Sequence, residues 1–335
     1  MATMRRSITA ALHELMAADD ETIMLGEALD TRGGSAMITY GFLDVYGPSR
    51  VIETPISENA LVGMALGAAV AGSPVIAEVY SADFLFCAGS EIINDTAKWR
   101  YQHQFRDPLR LVFRMPAGSA GNWAGPEHTQ AIEGLLNNVP GLRIVIPSTP
   151  ATARAALIAS LNSGDPTIFL EHRKLYDVDV VERVVEPGSV LEGRIARPGD
   201  HATVVAWGAL LPTAMAASQV LEEAGISVEV VDPVSIKPMN YGLIADSAAR
   251  TRHLLVLDEG PKTGSVSADV VVNVLERLPG QRVLFERLTM PDVHHSFDPQ
   301  LEAMLLPGRD DVVEAVSRLV TPLSQAVSTG VQVTA

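Results

Sequence analysis

Val51-Ile-Glu-Thr-Pro-Ile-Ser-Glu-Asn59 is an extended run that ends in an acid where a helix rich in small residues begins. This puts one carboxylate, Glu58, at a strand-to-helix turn. Open α/β sheets bind ligands in the crevice outside the carboxyl ends of their parallel strands, so an acid at such a turn can meet a cofactor. An acid in the first turn of a helix also complements the helix dipole, which gives Glu58 a purely structural reading as well.

On either side of this turn, apolar runs alternate with helical patterns. The runs are Thr22-Ile-Met-Leu25, Val75-Ile-Ala-Glu-Val79, Leu109-Arg-Leu-Val-Phe113, Arg143-Ile-Val-Ile146 and Thr167-Ile-Phe-Leu170. Such alternation predicts a parallel α/β sheet. From about residue 174 to 201 the chain carries acidic clusters, Pro187-Gly188 and Pro198-Gly199, and reads as a linker. A second set follows in Thr203-Val-Val-Ala206, Val228-Glu-Val-Val231, Leu254-Leu-Val-Leu257 and Val283-Leu-Phe285, with a helix expected over 212–224 and a closing helix over 312–320. The expected organisation is an α/β domain over 1–175, a linker over 176–200, a smaller α/β domain over 201–322 and a poorly ordered tail over 323–335. A chain of 335 residues is long enough for two such cores.

Composition narrows the function. Hydrophobic residues make up 47% of the chain and aromatic residues only 5%, a balance that suits parallel sheets covered by helices. A net charge of −15 argues against a nucleic-acid backbone or an anionic membrane as the main partner. An acidic substrate would therefore need local positive charge. Cys87 is the only cysteine, so no intrachain disulfide can form, and a reducing cytoplasm is the expected compartment. In Met4-Arg-Arg-Ser-Ile-Thr-Ala-Ala-Leu12 the apolar run is cut short by His13 and Glu14, which predicts an amphipathic first helix rather than a secretory leader. The longest apolar stretch, residues 60–71, falls short of the roughly 20 needed to span a membrane. Gly63 and Gly67 lie four apart on that helix, and tight helix packing within or between subunits is expected there.

Further blocks stand in a fixed order around the opening stretch. They are Gly26-Glu-Ala-Leu-Asp-Thr-Arg-Gly-Gly34, Glu78-Val-Tyr-Ser-Ala-Asp-Phe84, His128-Thr-Gln130, Pro140-Gly-Leu-Arg-Ile-Val-Ile-Pro-Ser-Thr-Pro150, Trp207-Gly208, Asp258-Glu-Gly-Pro-Lys-Thr-Gly264 and Pro291-Asp-Val-His-His-Ser-Phe297. In this order the chain resembles, over nearly its whole length, the β subunit of thiamine-diphosphate-dependent 2-oxo acid dehydrogenases. That group includes the pyruvate, branched-chain 2-oxo acid and acetoin dehydrogenases. The resemblance implies a parallel-sheet domain of the pyrimidine-binding type followed by a smaller α/β domain of the transketolase C-terminal type.

It also implies roles for particular residues. Glu58 matches the glutamate that hydrogen-bonds a ring nitrogen of the cofactor's aminopyrimidine and favours its imino tautomer, whose nitrogen deprotonates the thiazolium carbon. Phe84 matches an aromatic ring placed against the aminopyrimidine, with Tyr80 lining the same pocket; both also fit an ordinary core role. His128 matches a histidine that gives or takes protons around the substrate, although a lone histidine at the start of a helix is more often a surface residue. Glu27 corresponds to an acid in a chain of carboxylates linking paired sites, and it too has a bland reading as a strand-end acid.

Several departures accompany the likeness. Ser90-Glu91 replaces Asp-Gln, Gly134-Leu-Leu136 and Asn138 stand where the family has aromatic residues and a second histidine, and Trp123 enters the glycine-rich loop. His294-His295 is atypical, without the carboxylates or cysteines that would make a metal site of it.

No Gly-Asp-Gly segment with a later Asn is present, and in thiamine enzymes that segment holds the diphosphate through Mg²⁺. The resemblance therefore implies an α subunit that supplies those contacts, in an assembly of two α and two β chains. The implied reaction is decarboxylation of a small 2-oxo acid followed by acyl transfer to the lipoyl group of an acyltransferase. A non-oxidative carboligase of the same fold is the alternative, and a non-catalytic scaffold subunit is a third.

Overall fold

The computed structural model describes residues 2–121 and 124–321. Trp123 and the tail expected at 323–335 therefore lie outside the described residues. Among the described residues there are twelve strands: β1 Ile23–Glu27, β2 Val51–Thr54, β3 Val75–Glu78, β4 Leu111–Ala117, β5 Arg143–Val145, β6 Thr167–His172, β7 Arg194–Arg197, β8 Ala202–Val205, β9 Val228–Asp232, β10 Ser235–Lys237, β11 His253–Pro261 and β12 Leu284–Met290. The first sheet runs β10-β5-β6-β4-β3-β1-β2 and the second β12-β11-β8-β9-β7.

Alternate residues of the central strands face opposite sides of the first sheet. Leu25, Ala77, Phe113 and Ile168 meet Leu61, Val62, Ala65 and Ala69 of the helix Glu58–Val70. Met24, Ile76, Val112 and Phe169 meet Ile8, Leu12 and Met16 of the helix Met4–Ala18, together with Leu157 and Leu161 of the helix Pro150–Asn162. The first of these clusters continues through Val205, Trp207, Leu254 and Val270, so the two sheets share one continuous apolar core. No described helix is long and apolar enough to cross a membrane.

Two edge strands depart from the all-parallel expectation. β10 pairs antiparallel with β5, and β7 pairs antiparallel with β9. β7 lies within residues 176–200, so part of the expected linker belongs to the second sheet. Its sequence, Arg-Ile-Ala-Arg, is half exposed and lacks the apolar run that marks a central strand. β10 is three residues long, precedes Pro238 and carries the chain from the second sheet back to the edge of the first. Gly63 and Gly67 have nothing within 4 Å of where a Cβ would stand, so among the described residues no helix packs closely on them.

Register sets up the site. Glu27 pairs with Thr54, Glu78 with both Gly26 and Arg114, and His172 with Ala117. The carboxyl ends of β2, β1, β3, β4 and β6 therefore lie along one edge, and these ends and the segments leaving them carry Glu27, Glu58, Tyr80, Phe84 and His128.

Beneath that edge lies a buried charge network. Arg114, fully buried on β4, makes a bidentate pair with Glu171 on β6 at 2.6 and 2.7 Å and bonds Glu78 on β3. The Tyr176 hydroxyl donates to Glu171 at 2.7 Å and the Ser35 N–H donates to Glu78. Removing the cation leaves two carboxylates buried without a counter-ion, and breaking such a network costs about 3–5 kcal/mol. Arg114→Met is thus expected to lower the unfolding free energy by that much, read as a lower denaturant midpoint at an unchanged m-value. A loss below about 1 kcal/mol would contradict the assignment.

Candidate active site

The strand-to-helix turn after β2 brings two acids together. Glu27 ends β1 and is 5% exposed; Glu58 opens the helix Glu58–Val70 and is 9% exposed. Burial raises the pKa of Glu27, the neighbouring charge of Glu58 raises it further, and the Ser57 N–H opposes both. Glu27 Oε1 is buried with no hydrogen-bond partner among the described residues. Ser57 leaves the helix N–H groups uncapped and donates its hydroxyl to Asn59 Oδ1 at 2.7 Å instead. A buried acid pair with an unclaimed oxygen is suited to receiving a donor from another molecule.

The segment after β3 forms the second part. Phe84, half-buried in the 3-10 turn Ala82–Ala88, meets the His128 ring edge-on with centroids 5.2 Å apart. Asp83 accepts from the Gln130 N–H at 3.1 Å, the Gln130 side-chain amide at 3.0 Å and the Ser81 hydroxyl at 2.7 Å. Arg173, just past β6, donates to Ser81 Oγ at 2.7 Å. These bonds tie the segment holding Phe84 to the loop holding His128. Tyr80 is 37% exposed, and its carbonyl accepts from Ser35 Oγ at 3.2 Å, which fastens residues 33–35 to the same edge. Because β1 lies between β2 and β3, the acid pair and the aromatic–histidine pair hang from neighbouring strand ends.

The second domain supports the floor. At Gly118, where φ is +73°, a Cβ would stand 2.5 Å from His172 Nε2, so only glycine allows the loop to leave β4 over that ring. His172 Nδ1 accepts the Lys174 N–H at 3.3 Å, leaving Nε2 as the N–H that donates to Glu259 at 2.5 Å. Burial would raise the pKa of Glu259, but His172 and Ser119 overcome it and hold the carboxyl at about 2. Glu133, by contrast, is pushed up to about 8 by burial and by the charges of Asp258 and Glu259.

Residues 1–178 match the family described as "Transketolase, pyrimidine binding domain", and residues 191–312 match "Transketolase, C-terminal domain". The pyruvate dehydrogenase E1 component subunit beta of Rickettsia felis is 32% identical over 320 residues, covering 95% of this chain and 98% of that protein. The chain belongs to the transketolase-like family of 2-oxo acid dehydrogenase β subunits. The 2-oxoisovalerate dehydrogenase subunit beta of Bacillus subtilis is 33% identical over 320 residues, covering 93% and 97% of the two chains. A solved structure described as "Split gene transketolase, inactive beta4 tetramer" overlays with a TM-score of 0.78 at 23% identity, covering 95% of this chain and 98% of that one, and bears on the fold alone.

Within this family member, the departures fall in different places. Gly134 and Leu135 line a cleft of about 610 Å³ between residues 126–135 and the second-domain segments around Asp258 and His295. Asn138 lies elsewhere, in a groove with Ile93, Tyr101 and Phe105. Ser90 is exposed just before the π-helix Glu91–Thr96. His295 is buried, with both ring nitrogens unpartnered among the described residues.

Arg173 and Lys174 were not singled out in the sequence; they follow β6 and put two cations beside the segment that holds Phe84. The signal was present in Glu171-His-Arg-Lys174, which closes a strand with two cations at the carboxyl edge, where open α/β sheets commonly bind ligands.

Proposed function

We propose that this chain is the β subunit of a thiamine-diphosphate-dependent 2-oxo acid dehydrogenase, acting with an α subunit in an assembly of two α and two β chains. It would decarboxylate a small 2-oxo acid and pass the acyl group to the lipoyl carrier of an acyltransferase. The observation that carries this reading is the buried Glu27–Glu58 pair with its unclaimed oxygen, at the strand edge where the family places the aminopyrimidine.

The residues present fit that group. Glu58 would accept a hydrogen bond from a ring nitrogen, while the raised pKa of Glu27 favours one charge rather than two in the buried turn. Phe84 and Tyr80 offer flat apolar faces that exclude water. Thiamine diphosphate, when bound, supplies the nucleophilic carbon for the 2-oxo group and the electron sink for decarboxylation. His128, braced by Phe84 and by the Asp83–Gln130 bonds, would give or take a proton around the 2-oxo acid. Arg173 and Lys174 favour an anionic substrate at the same edge.

The Mg²⁺ and diphosphate contacts are assigned to the α subunit, because the chain has no Gly-Asp-Gly segment. Titration calorimetry checks this division: the chain alone should bind thiamine diphosphate at least about 100-fold more weakly than the α/β complex, a loss of roughly 2.7 kcal/mol. Tight, Mg²⁺-dependent binding by a homo-oligomer of this chain would overturn it. Assaying the complex with a purified lipoyl domain, against an aldehyde acceptor, separates the dehydrogenase from the carboligase.

A further inference from the structure

The loop that carries His128 is held from the far end of the chain. Glu302, 2% exposed in the helix Pro299–Leu305, accepts the Gly121 N–H at 2.7 Å and the Ala120 N–H at 3.3 Å. The preceding backbone N–H, that of Ser119, donates to Glu259. Phe297 lies against Gly125, where a Cβ would stand 2.2 Å from a ring carbon. The Gly125 carbonyl in turn accepts from the His128 N–H at 3.3 Å and from Thr129 Oγ1 at 2.7 Å. The described parts of the loop thus meet second-domain side chains at residues 119–121 and again at Gly125, where His128's own turn begins.

The Glu302 side chain does not cap its own helix, whose first N–H groups go to Asp298. His295 stands beside it, with Nδ1 3.7 Å from Glu302 Oε1. Burial lowers the pKa of His295, while Glu259, Glu302 and Asp83 oppose that and Lys174 adds to it. The Glu302 carboxylate spends its oxygens on two backbone donors, and charge-assisted bonds of this kind are about twice as strong as neutral ones.

We propose that Glu302 is a positioning residue for His128: it fixes the course of residues 119–121 and, together with Phe297 on Gly125, sets the orientation in which His128 meets Phe84. The inference rests on the proposed role of His128 in the reaction. Glu302→Gln keeps the size, removes the charge and leaves only one acceptor for two donors.

Two arms test it. In the full chain without cofactor, amide hydrogen exchange over residues 118–121 should quicken about 10-fold or more in Glu302→Gln while the core strands stay protected. In the α/β complex, kcat should fall about 10-fold with KM and cofactor affinity little changed, and the loss should vanish in a His128→Ala background, because the two residues act as one unit. Phe297→Leu, which disturbs no buried charge, should show the same pattern more weakly and serves if Glu302→Gln does not fold. Unchanged exchange, or a loss that adds fully to that of His128→Ala, would overturn the proposal. If His128→Ala alone leaves turnover intact, the functional reading of His128 fails, and the exchange arm still decides whether Glu302 holds the loop.

Discussion

His128→Ala is expected to spare thiamine diphosphate binding and to slow turnover by about 100-fold or more, the usual scale for a positioned acid or base. The geometry separates the two effects. His128 meets the edge of Phe84 at 5.2 Å between centroids, and its loop is tied to Asp83 through Gln130, so the ring is placed by contacts that do not involve the Glu27–Glu58 turn. Truncation at Cβ removes the ring but leaves the Asp83–Gln130 bonds and the acid pair in place. Decarboxylation with an artificial electron acceptor and acylation of a lipoyl domain, measured side by side, show which step uses the imidazole. Unchanged rates in both assays would make His128 a surface residue that packs on Phe84 and nothing more.

How much of this was legible in the sequence follows from the physics of each element. The central parallel strands announce themselves because both faces are buried, which leaves near-continuous apolar runs such as those of β4 and β6. β7 and β10 are edge strands, one polar and one only three residues long, and neither carries such a run. The acids at positions 27 and 58 were legible as strand-end residues, but their proximity is a product of the β1–β2 pairing, which only the fold provides. Arg114 interrupts the apolar pattern of β4, and its partners Glu78 and Glu171 lie on the two flanking strands, so no local spacing reveals the network. His172 and Glu259 are 87 residues apart in the chain. Glu302 is the hardest to foresee, because its partners are backbone N–H groups, which have no residue signature at all.

Glu58→Gln should have the largest effect on chemistry of any single change in the chain. The amide keeps the size of the side chain at the start of the helix Glu58–Val70 but gives up the proton affinity that makes a carboxylate useful to an aminopyrimidine nitrogen. Assembly with the α subunit should be normal and cofactor binding modestly weaker. Hydrogen–deuterium exchange at the thiazolium carbon and turnover should both fall by about 1,000-fold, within the range a lost acid–base partner produces. A second readout needs no cofactor: burial, the larger cause of the raised pKa of Glu27, remains in the variant, while the charge of Glu58 that adds to it is gone. The Glu27 carboxyl should therefore titrate at lower pH than in the parent chain, a shift that carbon-detected NMR can follow. A lowered Glu27 pKa with thiazolium exchange at the parent rate would show that the two acids are neighbours, yet that Glu58 serves only the start of its helix.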